Sequence, residues 1–226
     1  MSEITELKNI CSLIKRGIAP KYTENGGVIV INQRCIRDGR IFYENVRQND
    51  IAKKKIPEDR KLIAGDVLIN STGVGTLGRV SQIYPSSEMT VDSHVTIVRA
   101  DPIQVDLGFF GYYLKFLQPS FEAAGEGSTG QTELARDRIG EHKIRLPSKA
   151  EQIMIGKLLL SIDDKIENNR RMNETLEEMA RAIFKSWFVD FDPVHRKAAG
   201  NAPAHMDADT AELFPSSFSD NGLPDG

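Results

Sequence analysis

The first candidate site in the sequence is a glycine-rich hexapeptide. Residues 73–78 read GVGTLG and match G-x-G-x-x-G, a pattern that binds dinucleotides when a helix begins at the glycines. The next residues, 79–84, are β-prone and are followed by Pro85, which leaves no room for that helix. The pattern therefore predicts a loop between two strands. Such a loop lets backbone approach a ligand closely, and DNA phosphate is one candidate.

Two further polar clusters could contact nucleic acid. Residues 125–132 (GEGSTGQT) contain Ser, Thr and Gln side chains, which can read base edges, although an ordinary surface loop has the same composition. The second cluster is basic, KKK at 53–55 with Arg60 and Lys61. It could contact phosphates or be a solvated surface. Both interpretations remain open for each cluster.

Residues that could perform catalysis or bind metal are few and scattered. The four histidines stand at positions 94, 142, 195 and 205, without an H-x-x-x-H or C-x-x-C pattern, so no metal site is expected. The sequence lacks G-x-x-x-x-G-K-[ST], G-x-S-x-G and H-E-x-x-H. No catalytic residue is assigned. The sequence is that of a binding protein and not of an enzyme.

Composition defines the broad class. The chain has 226 residues, 40% hydrophobic and 27% charged, as in soluble globular proteins. No apolar run reaches the roughly 18–20 residues of a membrane helix, and two cysteines are too few for a disulfide framework. We therefore expect a cytoplasmic protein without a membrane partner. The net charge of −3 is uneven: residues 1–61 hold 13 basic against 8 acidic residues, and residues 151–226 hold 8 against 14.

These clusters must be positioned by the first of three predicted zones. Residues 1–147 alternate short β-rich runs with turns, which predicts an α/β (mixed α+β) domain. Strands are expected at 28–31, 67–69, 91–99 and 143–146, a hairpin turn at Asp38-Gly39, and a buried helix over 109–121 that ends near Pro119. Residues 193–226 read as an extended linker with a helical turn near 209–213.

The middle zone, residues 148–192, predicts a long coiled-coil helix. Ser148 and Glu151 have capping-box spacing, and a helix over 149–189 would be roughly 60 Å long. Residues spaced alternately by four and three occupy a and d positions of a seam that needs a partner. The seam consists of Ile155, Leu159, Ile162, Ile166, Asn169, Asn173, Leu176, Ala180, Ile183 and Trp187.

Two features of this helix leave alternatives open. Asn169 and Asn173 either fix register and partner number or mark a point where the helix loses contact. The aromatic end, with Phe184, Trp187 and Phe188, is either core packing or a docking surface for another protein.

The sequence around the helix resembles the DNA-specificity subunit of type I restriction-modification enzymes. Residues 144–194, which include an E-Q pair and end in FKSWFVDFDPV, are similar to that family's spacer region. The stretches 13–27, 31–41, 62–80 and 127–139 resemble its target recognition domain more loosely. The similarity extends over about residues 5–215.

The resemblance implies a non-catalytic subunit that binds double-stranded DNA. Such subunits carry two recognition domains, each reading half of a split target, separated by paired antiparallel helices. They dock methyltransferase and restriction subunits. This chain is expected to hold no cofactor itself, while S-adenosylmethionine, ATP and Mg are expected on the partner subunits.

The chain departs from the family pattern in having one recognition domain and one long helix. Its tail resembles the connector toward a second recognition domain, so the chain is expected to be a half-subunit, a truncated product or a fragment. The unpaired seam predicts a homodimer or pairing with another half-subunit. An antiparallel homodimer would place the recognition domains at opposite ends and make the target a split palindrome.

Loop position and residue type define the candidate DNA contacts. They are Lys21, Tyr22, Arg34, Arg37, Ser71, Thr72, Arg79, Ser128, Thr129 and Gln131. The competing hypothesis is a coiled-coil adaptor with a globular ligand-binding head. A lone methyltransferase is a third, which the absence of N-P-P-Y-type and D-P-P-Y-type sequences disfavours.

Overall fold

The computed structural model describes residues 3–127 and 132–225, which form two compact units that divide between Ser161 and Ile162. The strands are β1 (Glu3–Glu6), β2 (Cys11–Arg16), β3 (Tyr22–Thr23), β4 (Val28–Ile31), β5 (Ile36–Arg37), β6 (Arg40–Ile41), β7 (Arg47–Asn49), β8 (Val67–Asn70), β9 (Val80–Gln82), β10 (Met89–Val91), β11 (Val95–Ala100) and β12 (Lys143–Leu146). The helices are α1 (Leu107–Phe116), α2 (Gln118–Ala123), α3 (Arg136–Gly140), α4 (Lys149–Phe188), α5 (Asp192–Ala198) and α6 (Ala208–Glu212).

The first unit is built on two four-stranded sheets. One sheet has the order β2-β11-β8-β9, and the other has the order β10-β4-β7-β3. All pairings are antiparallel except that of β10 with β4. β1 pairs with β12, and β5 with β6 across a turn in which Asp38 and Gly39 both have positive φ, as the sequence predicted. The mixed α/β class is confirmed.

Side chains that alternate along β8 and β11 separate two hydrophobic cores. Val67 and Ile69 pack with the helical aromatics Phe109, Phe110 and Phe121. Leu68 of the same strand faces the opposite way and joins a core that includes β4 and β10. Because strand side chains alternate with period two, a strand buried on both faces serves both cores.

The predicted strand over 91–99 was wrong, because two strands of different sheets lie there. β10 ends at Val91 and β11 begins at Val95. The Asp92 carboxylate accepts a hydrogen bond from the His94 amide at 2.9 Å, and the Val95 amide donates to the Asp92 carbonyl at 3.2 Å. These bonds form a turn that carries the chain from one sheet to the other.

The predicted helix over 109–121 is two helices. α1 starts at an Asp106 cap whose carboxylate accepts the Phe109 amide, and it ends at Phe116. Pro119 then lies in the first turn of α2. Proline is tolerated there because first-turn amides have no helical acceptor, so Pro119 begins a helix where the sequence analysis expected it to end one.

α4 begins at the predicted capping box. The Glu151 carboxylate accepts hydrogen bonds from the Ser148 amide at 2.9 Å and from its hydroxyl at 2.7 Å. The next residue, buried Gln152, accepts from the Asp106 amide at 2.8 Å and donates to the Pro147 carbonyl at 2.9 Å. These bonds attach the start of the helix to the first unit. No helix in the described part of the chain is long and apolar enough to cross a membrane.

The second unit is more folded at its C-terminal end than an extended linker. The predicted helical turn near 209–213 corresponds to α6, whereas α5 was not predicted. The Phe214 ring packs on Trp187 and Phe188, with ring centroids 5.6 and 6.0 Å apart. Lys197 donates from its ammonium to the carbonyls of Ala211 and Phe214. A few aromatic residues therefore pack this segment together, although its polar composition had predicted an extended linker.

Candidate nucleic-acid interface

The glycine-rich hexapeptide is the loop between antiparallel strands β8 and β9. Gly73, Gly75 and Gly78 have φ of 107°, 70° and 80°, a region that L side chains rarely adopt. At Gly78 a Cβ would also lie 2.6 Å from the Glu122 amide nitrogen. The chain continues into a strand, so the helix needed for a dinucleotide is absent from this described segment. The prediction of a strand–loop–strand unit is confirmed.

A buried asparagine ties this loop to the turn that follows β4. The Asn70 side-chain amide donates to the Gln33 carbonyl at 2.9 Å and to the Thr76 carbonyl at 3.0 Å. Asn70 is fully buried, so these two bonds are shielded from water. The turn and the loop are therefore held together at their bases.

Three polar side chains meet where these segments touch. The Thr72 hydroxyl donates to Gln33 Oε1 at 3.2 Å and lies 2.7 Å from His94 Nδ1. Gln33 is half-buried and His94 is exposed. Three segments that are distant in sequence therefore contribute to one polar cluster.

The second glycine-rich cluster lies against the first. Thr72 forms a bridge with Glu133, and the Leu134 amide donates to the Ser71 carbonyl at 2.8 Å. The backbones of Glu126 and Glu133 exchange two hydrogen bonds of 2.9 Å. Described residues just after the second cluster therefore contact the first loop. The candidate contacts Ser128, Thr129 and Gln131 lie outside the described residues.

A basic patch is assembled around buried Asn49. Its side chain accepts from the Lys21 amide at 2.9 Å and donates to the Lys54 carbonyl at 2.8 Å, which brings Lys21 next to the 53–55 segment. The Arg47 guanidinium lies 3.5 Å from the centre of the Tyr22 ring. Burial, assisted by the negative charge of Asp92, raises the pKa of the Tyr22 phenol. The phenol therefore stays a neutral hydrogen-bonding group.

The predicted basic cluster divides into paired and unpaired cations. Lys61 pairs with Glu58 at 2.7 Å, and Arg60 pairs with Asp59 at 2.8 Å. Lys54 and Lys55 are exposed and have no ion partner among residues 3–127 and 132–225. Lys53 pairs with Asp50 at 3.1 Å, so the cations of this cluster that are available to a phosphate are Lys54 and Lys55.

The remaining candidate residues occupy different environments. Arg34 is exposed after a turn in which the Asn32 side chain accepts the Arg34 amide at 2.9 Å. Arg37 lies 4.5 Å from the Phe42 ring centre. Arg79 is half-buried at the end of the glycine loop. Ser71 is fully buried, and its hydroxyl lies 2.5 Å from that of Thr96.

Gln33 and His94 were not among the sequence-derived candidates. Neither lies in a glycine-rich or basic run, and each follows a strand directly or after a short turn. For Gln33 the available signal was weak, a polar residue just beyond a predicted strand, and His94 gave no such signal because it lies inside the strand predicted over 91–99. Gln33 and His94 meet Thr72 because of the strand order in two sheets, and this order cannot be read from the sequence.

The fold and the site define a class of protein. The polar loops and unpaired cations described above lie on a two-sheet α/β domain. This domain continues into a 40-residue helix. Within the described ranges no group of three or more His, Cys, Asp or Glu side chains is arranged to hold a metal ion. The architecture is that of a loop-bearing α/β domain followed by a long helix.

Comparison with known proteins identifies the family. The model of the type I restriction modification DNA specificity domain matches residues 2–178. This match covers most of the chain, so the protein belongs to that family. The matched residues include all but the first residue of the first unit and part of α4.

Curated relatives are specificity subunits. The HindI specificity subunit of Haemophilus influenzae is 39% identical over 94 residues, which cover 41% of this chain and 20% of the relative. The MjaIX specificity subunit of Methanocaldococcus jannaschii is 32% identical over 130 residues, covering 50% and 30%. The aligned regions span less than a third of these relatives.

Solved structures share the fold. The S subunit from M. genitalium superposes with a TM-score of 0.54 at 18% identity, over 88% of this chain and 46% of that one. A structure concerned with assembly and conformational transition of the type I R-M system gives 0.58 at 19% identity, over 82% and 45%. The chain thus corresponds to about half of each solved subunit.

Proposed function

We propose that the first unit is a target recognition domain that binds double-stranded DNA and reads one half of a split target. The observation that carries this proposal is that the glycine-rich loop, the β4–β5 turn and the β10–β11 turn bring Thr72, Gln33 and His94 into one polar cluster. Loops that meet at one place can address neighbouring base pairs, whereas scattered loops cannot. Membership of the specificity family supports the same assignment.

Within this proposal, cations bind phosphates and polar side chains read base edges. Lys21, Arg34, Arg37 and Arg79, with Lys54 and Lys55, supply charge, and Tyr22 supplies a neutral aromatic contact. Thr72 belongs to the polar cluster. Ser71 is left out of the contact set because a buried side chain offers no surface to a duplex. Ser128, Thr129 and Gln131 stay predictions.

The long helix is proposed to set the spacing between half-sites. Seam residues Ile162, Ile166 and Leu176 are 41–55% exposed and leave apolar surface for a second helix. An antiparallel pair, formed by two copies or with another half-subunit, would carry two recognition domains. Two identical domains about a two-fold axis would read a split palindrome.

The other subunits of the complex are also part of the proposal. We propose docking to methyltransferase and restriction subunits, which would contribute S-adenosylmethionine, ATP and Mg. The proposed division places recognition in 1–147, spacing in 148–192 and a connector toward a further recognition domain in 193–226.

Selection from a randomised duplex library tests the recognition proposal. The full chain is incubated with the library with and without the methyltransferase subunit encoded beside its gene, and bound duplexes are sequenced. A split motif is expected, palindromic for a homodimer and a single half-site for a fragment. If nothing is enriched even with the methyltransferase subunit, DNA specificity is contradicted and a coiled-coil adaptor takes its place.

A charge variant tests the phosphate contacts separately. Lys54→Ala with Lys55→Ala should weaken binding on all sequences and reduce the salt slope by about one per lost contact. Lys157→Ala with Lys165→Ala, on α4, removes the same charge and should leave the slope unchanged. Equal slopes for both variants would remove the 53–55 segment from the interface.

A further inference from the structure

We infer that Gln33 and His94 are the base-reading pair of this domain, positioned by Thr72, and that the pair recognises adenine in the major groove. The inference rests on the proposed function and names the base that one part of the site selects.

Hydrogen bonds hold the backbone at each of the three residues, and the side chains contact one another. Thr72 lies at the start of the glycine loop, and its carbonyl accepts the Thr76 hydroxyl at 3.3 Å. The Gln33 carbonyl is bound by buried Asn70, and the His94 amide is bound by the Asp92 carboxylate at 2.9 Å. A Cβ at Gly73 would lie 3.1 Å from Gln33 Oε1, so the loop also packs against this side chain. The pair is therefore organised before DNA arrives.

The Thr72 hydroxyl has one hydrogen, which decides the roles of both neighbours. The tautomer of His94 with hydrogen on Nδ1 satisfies both contacts at once, because the Thr72 hydroxyl then donates to Gln33 Oε1 and accepts from His94. In a neutral imidazole with hydrogen on Nδ1, Nε2 is an acceptor. Gln33 keeps its two amide hydrogens on Nε2.

The free atoms of the pair therefore offer a donor beside an acceptor. Among the described residues neither Gln33 Nε2 nor His94 Nε2 has a hydrogen-bond partner. Gln33 Oε1 and His94 Nδ1 both lie within 3.2 Å of one hydroxyl, so the two side chains meet at Thr72.

Adenine is the base whose own major-groove edge complements this arrangement. Its N7 accepts and its N6 amino group donates, which matches Gln33 Nε2 and His94 Nε2 respectively. Guanine presents two acceptors, N7 and O6, and would place an acceptor against the His94 lone pair. A preference of about tenfold or more for adenine at one position is expected from a matched pair of hydrogen bonds.

The test compares base preference between two variants of the positioning residue. The full chain with its methyltransferase subunit is used to select from a randomised duplex library as wild type, Thr72→Val and Thr72→Ser. Valine matches threonine in shape but lacks the hydroxyl, whereas serine keeps it. We expect wild type and Thr72→Ser to retain adenine at one position and Thr72→Val to lose about tenfold of that preference while the other positions stay selected.

A second variant keeps the inference testable should Thr72→Val fail to fold. Gln33→Met preserves length but removes the amide, and should lower the same adenine preference alone. A wild-type motif without adenine, guanine in its place, or adenine retained in both Thr72→Val and Gln33→Met would overturn this inference and leave the proposed function intact. A wild type that selects no motif would instead contradict the proposed function.

Discussion

The two ends of α4 have the same heptad pattern but different surroundings. Before Ser161 the helix is attached to the first unit by buried Gln152 and by Gly156, where a Cβ would lie 2.8 Å from the Phe109 amide nitrogen. From Ile162 onward the seam side chains Ile162, Ile166 and Ile183 are 48%, 41% and 46% exposed. The attached end is held by polar bonds and close backbone approach, whereas the exposed end presents apolar side chains to solvent, which is the surface that the proposed helix pairing would bury.

Charged substitutions at the exposed end of α4 should have the largest effect of the three changes considered. They should weaken self-association and leave the fold of the first unit unchanged. Ile162→Asp with Ile166→Asp places two charges on the seam and should weaken self-association about a thousandfold, roughly 4 kcal/mol, because four apolar side chains leave the interface of a symmetric dimer. Sedimentation velocity over a concentration series measures this. Asp164→Asn with Lys165→Gln, between the two sites, is the control, and unchanged association in the seam variant would contradict pairing through this seam.

Removing the buried hydrogen bonds at the attached end of α4 should instead lower the stability of the first unit. Gln152→Met has similar length but leaves the Asp106 amide and the Pro147 carbonyl unsatisfied, which should lower the free energy of unfolding by about 2 kcal/mol. Urea unfolding monitored by circular dichroism measures the change. Gln104→Met, at an exposed glutamine, should stay within about 0.5 kcal/mol. A Gln152 variant as stable as wild type would show that the buried bonds are dispensable.

The smallest effect concerns pH at the start of α4. Hydrogen bonds from Ser148 lower the pKa of the Glu151 carboxyl. A carboxyl with a lowered folded-state pKa adds stability that is present above the unfolded value of about 4.3 and disappears as the pH falls through the lower folded value. Melting temperatures of wild type and Glu151→Gln should therefore differ at pH 6 and converge toward pH 3. Glu174→Gln on the same helix serves as control, and a constant difference across this range would contradict the coupling.

The sequence predicted elements whose determinants are local. The Asp38-Gly39 turn, the Ser148–Glu151 capping box and the 40-residue helix each follow from residues within a few positions of one another. The loop interpretation of residues 73–78 succeeded for the same reason, since Pro85 left no space for a helix. Local steric and hydrogen-bonding rules were sufficient in these places.

The predictions failed where distant contacts decide. Residues 91–99 have uniform β propensity, and only the Asp92–His94 turn between two sheets shows that they form two strands. The sequence-derived candidate list missed Gln33 and His94 for a similar reason. Strand order and the Asn70 side chain bring these two residues to Thr72, and neither contact is local in sequence. A single sequence shows which side chains are polar but not which of them meet.

The pairing of β1 with β12 has a consequence for how the chain matures on the ribosome. Glu3 lies opposite Leu146, so the first strand has its partner only after about 140 further residues have been synthesised. Pairings so far apart close late, because a long loop must be ordered before the contact forms. The domain consequently completes its fold only as α4 begins to emerge. A nascent chain stalled before residue 143 would expose an unpaired strand edge open to aggregation.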